Sequence, residues 1–336
     1  MKLKNMLIGY FQLFRLQTAA ATALTPFIGA LVAGQDDIFI LFILLIIGFL
    51  YHIYGFVLNE YVDIEVDKKS NDLKDKPLVS GFIPRINAFL IVILSIFFTC
   101  FLTVFFFTKI LPVLFLILAL FLGGIYDIFG KKIPGLDFVL GLGFFFFCLM
   151  GASTKTNDFT TLTYIVSLIY FIHISFNNSV EGGIKDVDHD YLAGAKTLAT
   201  KMKVLVKNRS LIVNKKFAVF SFFLKFIFIF LIFLLSVQPE INLFNYEKNM
   251  IQLILFSFFC FIIFFTMIKF LYISEFDRLR LKKLFSLHEM SSYFLLIISI
   301  SPLVETRFTF FLVLFPFIWY ILFNLVLYGK PLQPRV

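Results

Sequence analysis

Two short stretches of this chain gather carboxylates where the surrounding sequence is almost wholly apolar. The first reads Asn59-Glu60-Tyr61-Val62-Asp63-Ile64-Glu65-Val66-Asp67 and the second Asp186-Val187-Asp188-His189-Asp190. Asn59, Asp63 and Asp67 follow one another at i, i+4 and i+8, so on a helix they line one face. Asp186 and Asp190 share a face in the same way. Like charges at that spacing repel and destabilise a helix unless a cation sits between them. Hard oxygen ligands suit Mg²⁺, which takes one or two carboxylates per ion and completes its shell with water and phosphate oxygens. Asn59, Asp63, Asp67, Asp186 and Asp190 could therefore hold two such ions, Mg²⁺ or Mn²⁺, with a diphosphate between them. A charge run beyond a membrane helix is usually a solvated loop. Two aspartate pairs at equivalent places on two helices are harder to dismiss, and ionisable groups at a membrane are functional candidates. Glu65 lies about 200° round the helix from Asp63 and faces away from the acidic line. Asp72 lies in the following loop, and Asp188 faces away from its neighbours only if that segment is helical.

The elements that must position these residues are membrane helices. Of 336 residues 60% are hydrophobic and 15% charged, 51 are Phe, and the mean hydropathy is +0.94. Soluble domains average roughly 45–50% apolar and about 25% charged residues. Apolar runs recur from end to end, each long enough to cross ~30 Å of hydrocarbon. Ten spans are expected, at 9–33, 38–60, 86–108, 110–126, 136–153, 161–181, 216–237, 250–273, 288–304 and 308–328. The first is read as a membrane helix and not a removable signal. Cys100, Cys148 and Cys260 fall in these runs without a CxxC pair and read as small core residues.

The net charge of +9 does not point to nucleic acid, because the Lys and Arg sit in short loops between spans. With a cytoplasmic N-terminus, the inward loops hold clusters such as Lys68, Lys69, Lys74, Lys76 and Arg85, and the C-terminal tail holds Lys330 and Arg335. The outward loops hold only Lys109, Lys155, Lys248 and Arg307. That asymmetry places both termini, and the inner ends of spans two and six, in the cytoplasm of a multi-pass protein of the cell membrane. Both acidic stretches then open on the cytoplasmic side and can converge.

The motifs resemble those of the UbiA superfamily of intramembrane prenyltransferases. That family's N-D-x-x-D-x-x-x-D is similar to Asn59 through Asp67, with Glu60 in place of the usual Asp. Lys76-Pro77-Leu78-Val79-Ser80-Gly81 resembles the turn that follows it. Asp186 and Asp190, with Gly194 and Thr197-Leu198, resemble the second motif, and Tyr126 with Lys131 the loop between them. The resemblance implies Asp63, Asp67, Asp186 and Asp190 as catalytic and, with Asn59, as metal-binding residues. It further implies Tyr126 and Lys131 at the diphosphate of a polyprenyl diphosphate donor. The family commonly has nine membrane helices. The expected fold is thus all-α, a single domain over 1–336 with nine or ten transmembrane helices bundled around a central cavity.

Other residues keep two readings. Lys76 and Lys132 either anchor a cytoplasmic loop or face the diphosphate. Arg15, inside span one, either snorkels to the inner surface or reaches the diphosphate. His173, Asn177 and Asn178 either orient an acceptor or bond between helices. The acceptor itself stays open: an aromatic quinone-type precursor or a lipid, with digeranylgeranylglyceryl phosphate synthase of ether-lipid synthesis as an alternative. A secondary ion-coupled transporter would place its carboxylates at midplane on broken helices, and a scaffold would need no acidic motifs.

Overall fold

The computed structural model describes residues 2–69 and 73–331, so Asp72 and Arg335 lie outside the described residues. Among the described residues the chain is a helical bundle with one small hairpin. The helices are α1 (Lys2–Leu13), α2 (Ala19–Val32), α3 (Ile38–Asp67), α4 (Arg85–Phe106), α5 (Ile110–Phe129), α6 (Asp137–Lys155) and α7 (Thr161–Phe176). After α7 come a π-helical turn (Asn177–Gly182) and three short helices, α8 (Gly183–Lys185), α9 (Val187–Ala193) and α10 (Leu198–Lys201). Strands β1 (Leu205–Lys207) and β2 (Ser210–Ile212) pair antiparallel, and α11 (Lys215–Ser236), α12 (Tyr246–Leu271), α13 (Arg278–Ile300) and α14 (Thr306–Tyr328) complete the chain. The hairpin turns at Asn208 and Arg209, both with positive φ, which matches the twist of a two-residue turn.

Seven of these helices, α3, α4, α5, α6, α11, α12 and α14, are long and apolar enough to cross a membrane, fewer than the nine or ten expected. The other three expected spans differ for identifiable reasons. Span 161–181 is α7 extended by the π-helical turn, and 288–304 is the apolar end of α13, whose first turns carry Arg278, Arg280, Lys282 and Lys283. Span 9–33 is broken. Arg15 takes a left-handed φ of 46°, and a 3-10 turn (Leu16–Thr18) separates α1 from α2. A break inside a bundle frees carbonyls that must find partners. His52 of α3 supplies one through Nε2, 2.9 Å from the Phe14 oxygen, and the Trp319 indole of α14 donates to the Leu16 oxygen at 2.6 Å.

Small residues bring α2 against its neighbours, the usual way helices approach closely in lipid. A Cβ at Gly29 would fall on the Cys148 carbonyl of α6, and one at Gly151 on the Pro26 carbonyl of α2. Tyr51 and Tyr54 of α3 donate to the Ala119 and Leu120 carbonyls of α5, at 3.2 and 2.7 Å. These contacts fix the middle of α3 against the middle of α5. At about 1.5 Å per residue α3 is roughly 45 Å long, enough to cross the hydrocarbon and carry its last turns beyond it.

The glycine contacts give a direct test of the packing. Gly151→Val should destabilise the protein by about 3 kcal/mol, at the upper end of ordinary overpacking, read as a lower thermal midpoint in detergent. A variant that melts like the parent would mean that α2 and α6 do not approach this closely.

Candidate active site

The final turns of α3 put Glu60, Asp63 and Asp67 on the buried face, while Glu65 is exposed and pairs with Lys68 at 3.1 Å and Arg85 at 3.5 Å. The carboxylates do not stand alone. Lys131 Nζ is 2.8 Å from Asp63 Oδ2, and Lys76 Nζ is 2.7 Å from Asp67 Oδ2 and 3.0 Å from Glu60 Oε1. Arg15 NH2 completes the set, 2.5 Å from Glu60 Oε1, with its guanidinium over the Phe56 ring. Arg15 thus pairs with Glu60. The side chain one methylene longer than the usual Asp is shared by two cations, and it ties the break in the first span to the acidic motif.

The second motif begins where α8 ends. Asp186 departs from helical geometry at ψ 5° before α9, and the Asp190 amide bonds the Asp186 carbonyl at 2.9 Å, leaving the two carboxylates one turn apart. Gly194 ends α9 with a positive φ of 74°, the left-handed cap that favours glycine. The Lys196 amide then bonds the Lys131 carbonyl at 2.8 Å, joining the loop after the second motif to the loop after α5. Lys131 lies within electrostatic reach of Asp63, Asp67 and Asp190, so one lysine faces both motifs. Burial works against its charge, but Asp63 and its neighbours outweigh this and raise its pKa.

The two aspartates of the second motif differ in character. Burial pushes Asp190 up to about 6, against the pull of Lys131, with Asp186 and Asp63 adding to the rise. Partial burial would raise Asp186 too, but Lys185 at 3.6 Å, then Lys131, Arg278 and Arg15, hold it below the usual carboxylate range. Asp188 points elsewhere: it pairs with Arg278 of α13 at 2.6 Å. Tyr126 donates to Asn178 Oδ1 at 3.2 Å and stands within electrostatic reach of Asp63 and Asp190. His173 Nε2 accepts from Asn177 at 3.3 Å, so this pair bonds along one helix.

The chain matches the UbiA prenyltransferase family over residues 22–239. It belongs to that family. No curated protein matches it by sequence. A solved structure of a digeranylgeranylglyceryl phosphate synthase is similar at 19% identity, covering 89% of this chain and 99% of that one, with a TM-score of 0.62. A UbiA homologue from Archaeoglobus fulgidus bound to GPP and Mg²⁺ shares 16% identity over 86% of this chain and 99% of its own, at 0.58. The apo UbiA homologue from Aeropyrum pernix K1 shares 15% over 87% and 96%, at 0.60. At these identities the likeness is one of fold.

For a UbiA prenyltransferase the oxygen-rich donor set fits a hard divalent ion. Among the described residues no three Asp, Glu, His or Cys side chains meet around one point. A hard ion there would take one or two carboxylates and its remaining ligands from water and phosphate. Sequence reasoning missed several neighbours. Asp127, next to Tyr126, is a hydrogen-bonding partner of Asn59 and lies within electrostatic reach of Asp63 and Arg15. Its signal was a carboxylate near the end of an apolar span. Lys185, Arg278 and Lys282 surround Asp186, and nothing in their spacing distinguishes them from ordinary cytoplasmic lysines and arginines.

Glu60 offers the sharpest stability test here. Removing the charge from a carboxylate shared by two partly buried cations leaves them short of a partner. Glu60→Gln should cost about 1.5–3 kcal/mol, the range for a hydrogen bond to a charged group, seen as a lower thermal midpoint. An unchanged midpoint would mean that solvent already screens Arg15 and Lys76.

Proposed function

We propose that this UbiA prenyltransferase moves a polyprenyl group from polyprenyl diphosphate to an aromatic quinone-type precursor or a lipid acceptor, at the junction of the two acidic motifs. Asn59, Asp63, Asp67, Asp186 and Asp190 would hold Mg²⁺, or Mn²⁺ in its place. The observation that carries this is Lys131, paired with Asp63 and within reach of Asp67 and Asp190. A single cation serving both motifs supports one shared site.

An allylic C–O bond ionises when the charge building on its leaving diphosphate is neutralised by groups already in place. Lys131 and Lys76 are such groups: each faces a carboxylate now and can turn to an incoming phosphate oxygen. Arg15, on Glu60, adds a third cation at the edge, and the Tyr126 hydroxyl can donate to the same diphosphate. Mg²⁺, when bound, supplies Lewis-acid neutralisation of that leaving group. The tail needs hydrocarbon around it. An apolar groove of about 470 Å³ runs along α14 past Phe311, Phe315 and Trp319. Trp319 bonds the residue after Arg15, so a chain lying there would have its head beside the Arg15–Glu60 pair. Seven helices fit for the membrane and the family's nine are reconciled if α7 with its π-turn and the apolar end of α13 also cross it. We place the site and both termini on the cytoplasmic side of the cell membrane, in one domain.

The acceptor is to be found by offering the purified chain a panel of prenyl diphosphates with aromatic precursors and glycerol-phosphate lipids. Turnover should stop on exhaustive chelation and return with Mg²⁺; persistence without divalent metal would defeat the proposal. Asn replacing Asp63, Asp67, Asp186 or Asp190 should each lower turnover at least ~10²-fold, whereas Glu65→Gln should stay within about threefold. Equal losses at Asp63 and Glu65 would break the helical-face argument. Cysteines placed at Lys74 and Lys203 should react only with reagent on the cytoplasmic side. Labelling from opposite sides would separate the two motifs.

A further inference from the structure

Beyond the acidic motifs a second polar cluster is buried among the helices. Glu181, 3% exposed, stands on the π-helical turn, a wider coil that often marks functional positions. Around it are Lys225 of α11 and His288 and Ser292 of α13, all buried. Lys225 Nζ donates to Ser292 Oγ at 3.3 Å and lies 4.0 Å from the centroid of the Phe176 ring. Glu289 of α13, partly exposed, is within hydrogen-bonding reach of Glu181.

The hydrogens in this cluster can be counted. The Thr266 hydroxyl donates to the Ile262 carbonyl at 2.7 Å, so it accepts from His288 Nδ1 at 2.9 Å. The ring hydrogen is then on Nδ1, and Nε2 faces Glu181 Oε1 bare, at 4.0 Å. Both Glu181 oxygens and His288 Nε2 lack a partner. Glu181, Glu289 and His288 Nε2 are all acceptors, so they can bond one another only if a carboxyl carries a proton. The proton belongs on Glu181, the more deeply buried of the two.

Glu289 also faces the right way. At about 100° per residue, Arg278, Lys282 and Glu289 fall within roughly 40° of one another on α13. Arg278 pairs with Asp188, and Lys282 lies within electrostatic reach of Asp186 and Arg15. The face of α13 that looks on the second motif therefore carries Glu289 about 10 Å further along.

Prenyl transfer leaves a proton to be removed. The allylic C–O bond breaks with its electron pair on the diphosphate, and a bond forms from the acceptor's carbon or hydroxyl oxygen to the prenyl carbon. The hydrogen on that acceptor atom departs as H⁺. We propose that Glu289 is the base that takes this proton, held in position by a hydrogen bond from protonated Glu181. The assignment rests on the prenyl-transfer reading of the acidic site. The charged and titratable groups that face the pair are Lys185 from the turn before Asp186, Lys225 from α11, His288 from α13 and Tyr320 from α14, with His173 of α7 behind Lys225 and His288. Glu289 must be unprotonated to act, so turnover should fall as the pH is lowered.

Two measurements on the purified full-length chain test this. Infrared spectroscopy, which needs no substrate, should show the carbonyl stretch of a protonated carboxyl that disappears in Glu181→Gln. In turnover of geranylgeranyl diphosphate with the panel acceptor that reacts, Glu289→Gln should lower kcat at least ~10²-fold. KM for both substrates should stay within about threefold, and the acid limb of the kcat profile should vanish. Glu289→Asp, which keeps the carboxylate but withdraws it, should recover part of the rate with a displaced acid limb, and it carries the same test if the Gln variant does not fold. Absence of the carboxyl band, or wild-type kcat and acid limb in the Glu289 variants, overturns the proposal and leaves prenyl transfer standing. A parent chain that prenylates no acceptor overturns the reading of the acidic site, and the base assignment with it.

Discussion

The arrangement depends on one ion pair, Lys131 with Asp63. Carboxylates gathered at a membrane boundary repel one another, and helices carrying them separate unless positive charge lies between them. Lys131 supplies that charge, 2.8 Å from Asp63 and within reach of Asp67 and Asp190. Its backbone bond to Lys196 holds the two loops together whatever the side chain does. The side chain is thus free to leave a carboxylate for a phosphate without the motifs drifting apart. A site proposed to exchange its cations during turnover needs its geometry fixed by the main chain, and the bond from Lys196 to the loop after α5 does this.

The same logic explains the neighbours. Lys76 shares itself between Asp67 and Glu60, and Arg15 reaches Glu60 from the break in the first span. That break would be costly in lipid if its carbonyls were left bare. His52 and Trp319 bond them, so α3 and α14 both close on the turn that presents Arg15. Glu60, longer than the aspartate usual at this place in the motif, spans two cations from one buried position.

What could be read from the sequence follows from distance along the chain. The faces of Asn59, Asp63 and Asp67, and the outward turn of Glu65, follow from helical spacing, and the structure places Asp63 and Asp67 on the buried side and Glu65 in solvent. The family could be recognised from short motifs for the same reason. The break at Arg15 could not, because Gly and Pro are absent there and its partners, His52 and Trp319, lie 37 or more residues away. The pairings of Glu60 with Arg15 and of Asp188 with Arg278 also join residues 45 and 90 apart. In a chain with 51 Phe and a lysine cluster in nearly every inner loop, composition gives such partners no distinguishing mark.

The two polar clusters neutralise their carboxylates differently, and the difference suits their places. At the motifs, lysine and arginine side chains offset the aspartates from positions that water can partly reach, so those cations can be exchanged for others. Deeper in, Glu181 lies beside the fully buried Lys225 and faces Glu289 and His288 Nε2, which offer it only acceptors. Acceptors can bond one another only by gaining a proton. On the proposed reading, the motif at the surface would trade metal and phosphate, and the inner pair hydrogen ions. A reaction that expels a diphosphate and a proton from one encounter needs both, and α13 carries residues at each: Arg278 and Lys282 beside the motif, Glu289 two turns beyond.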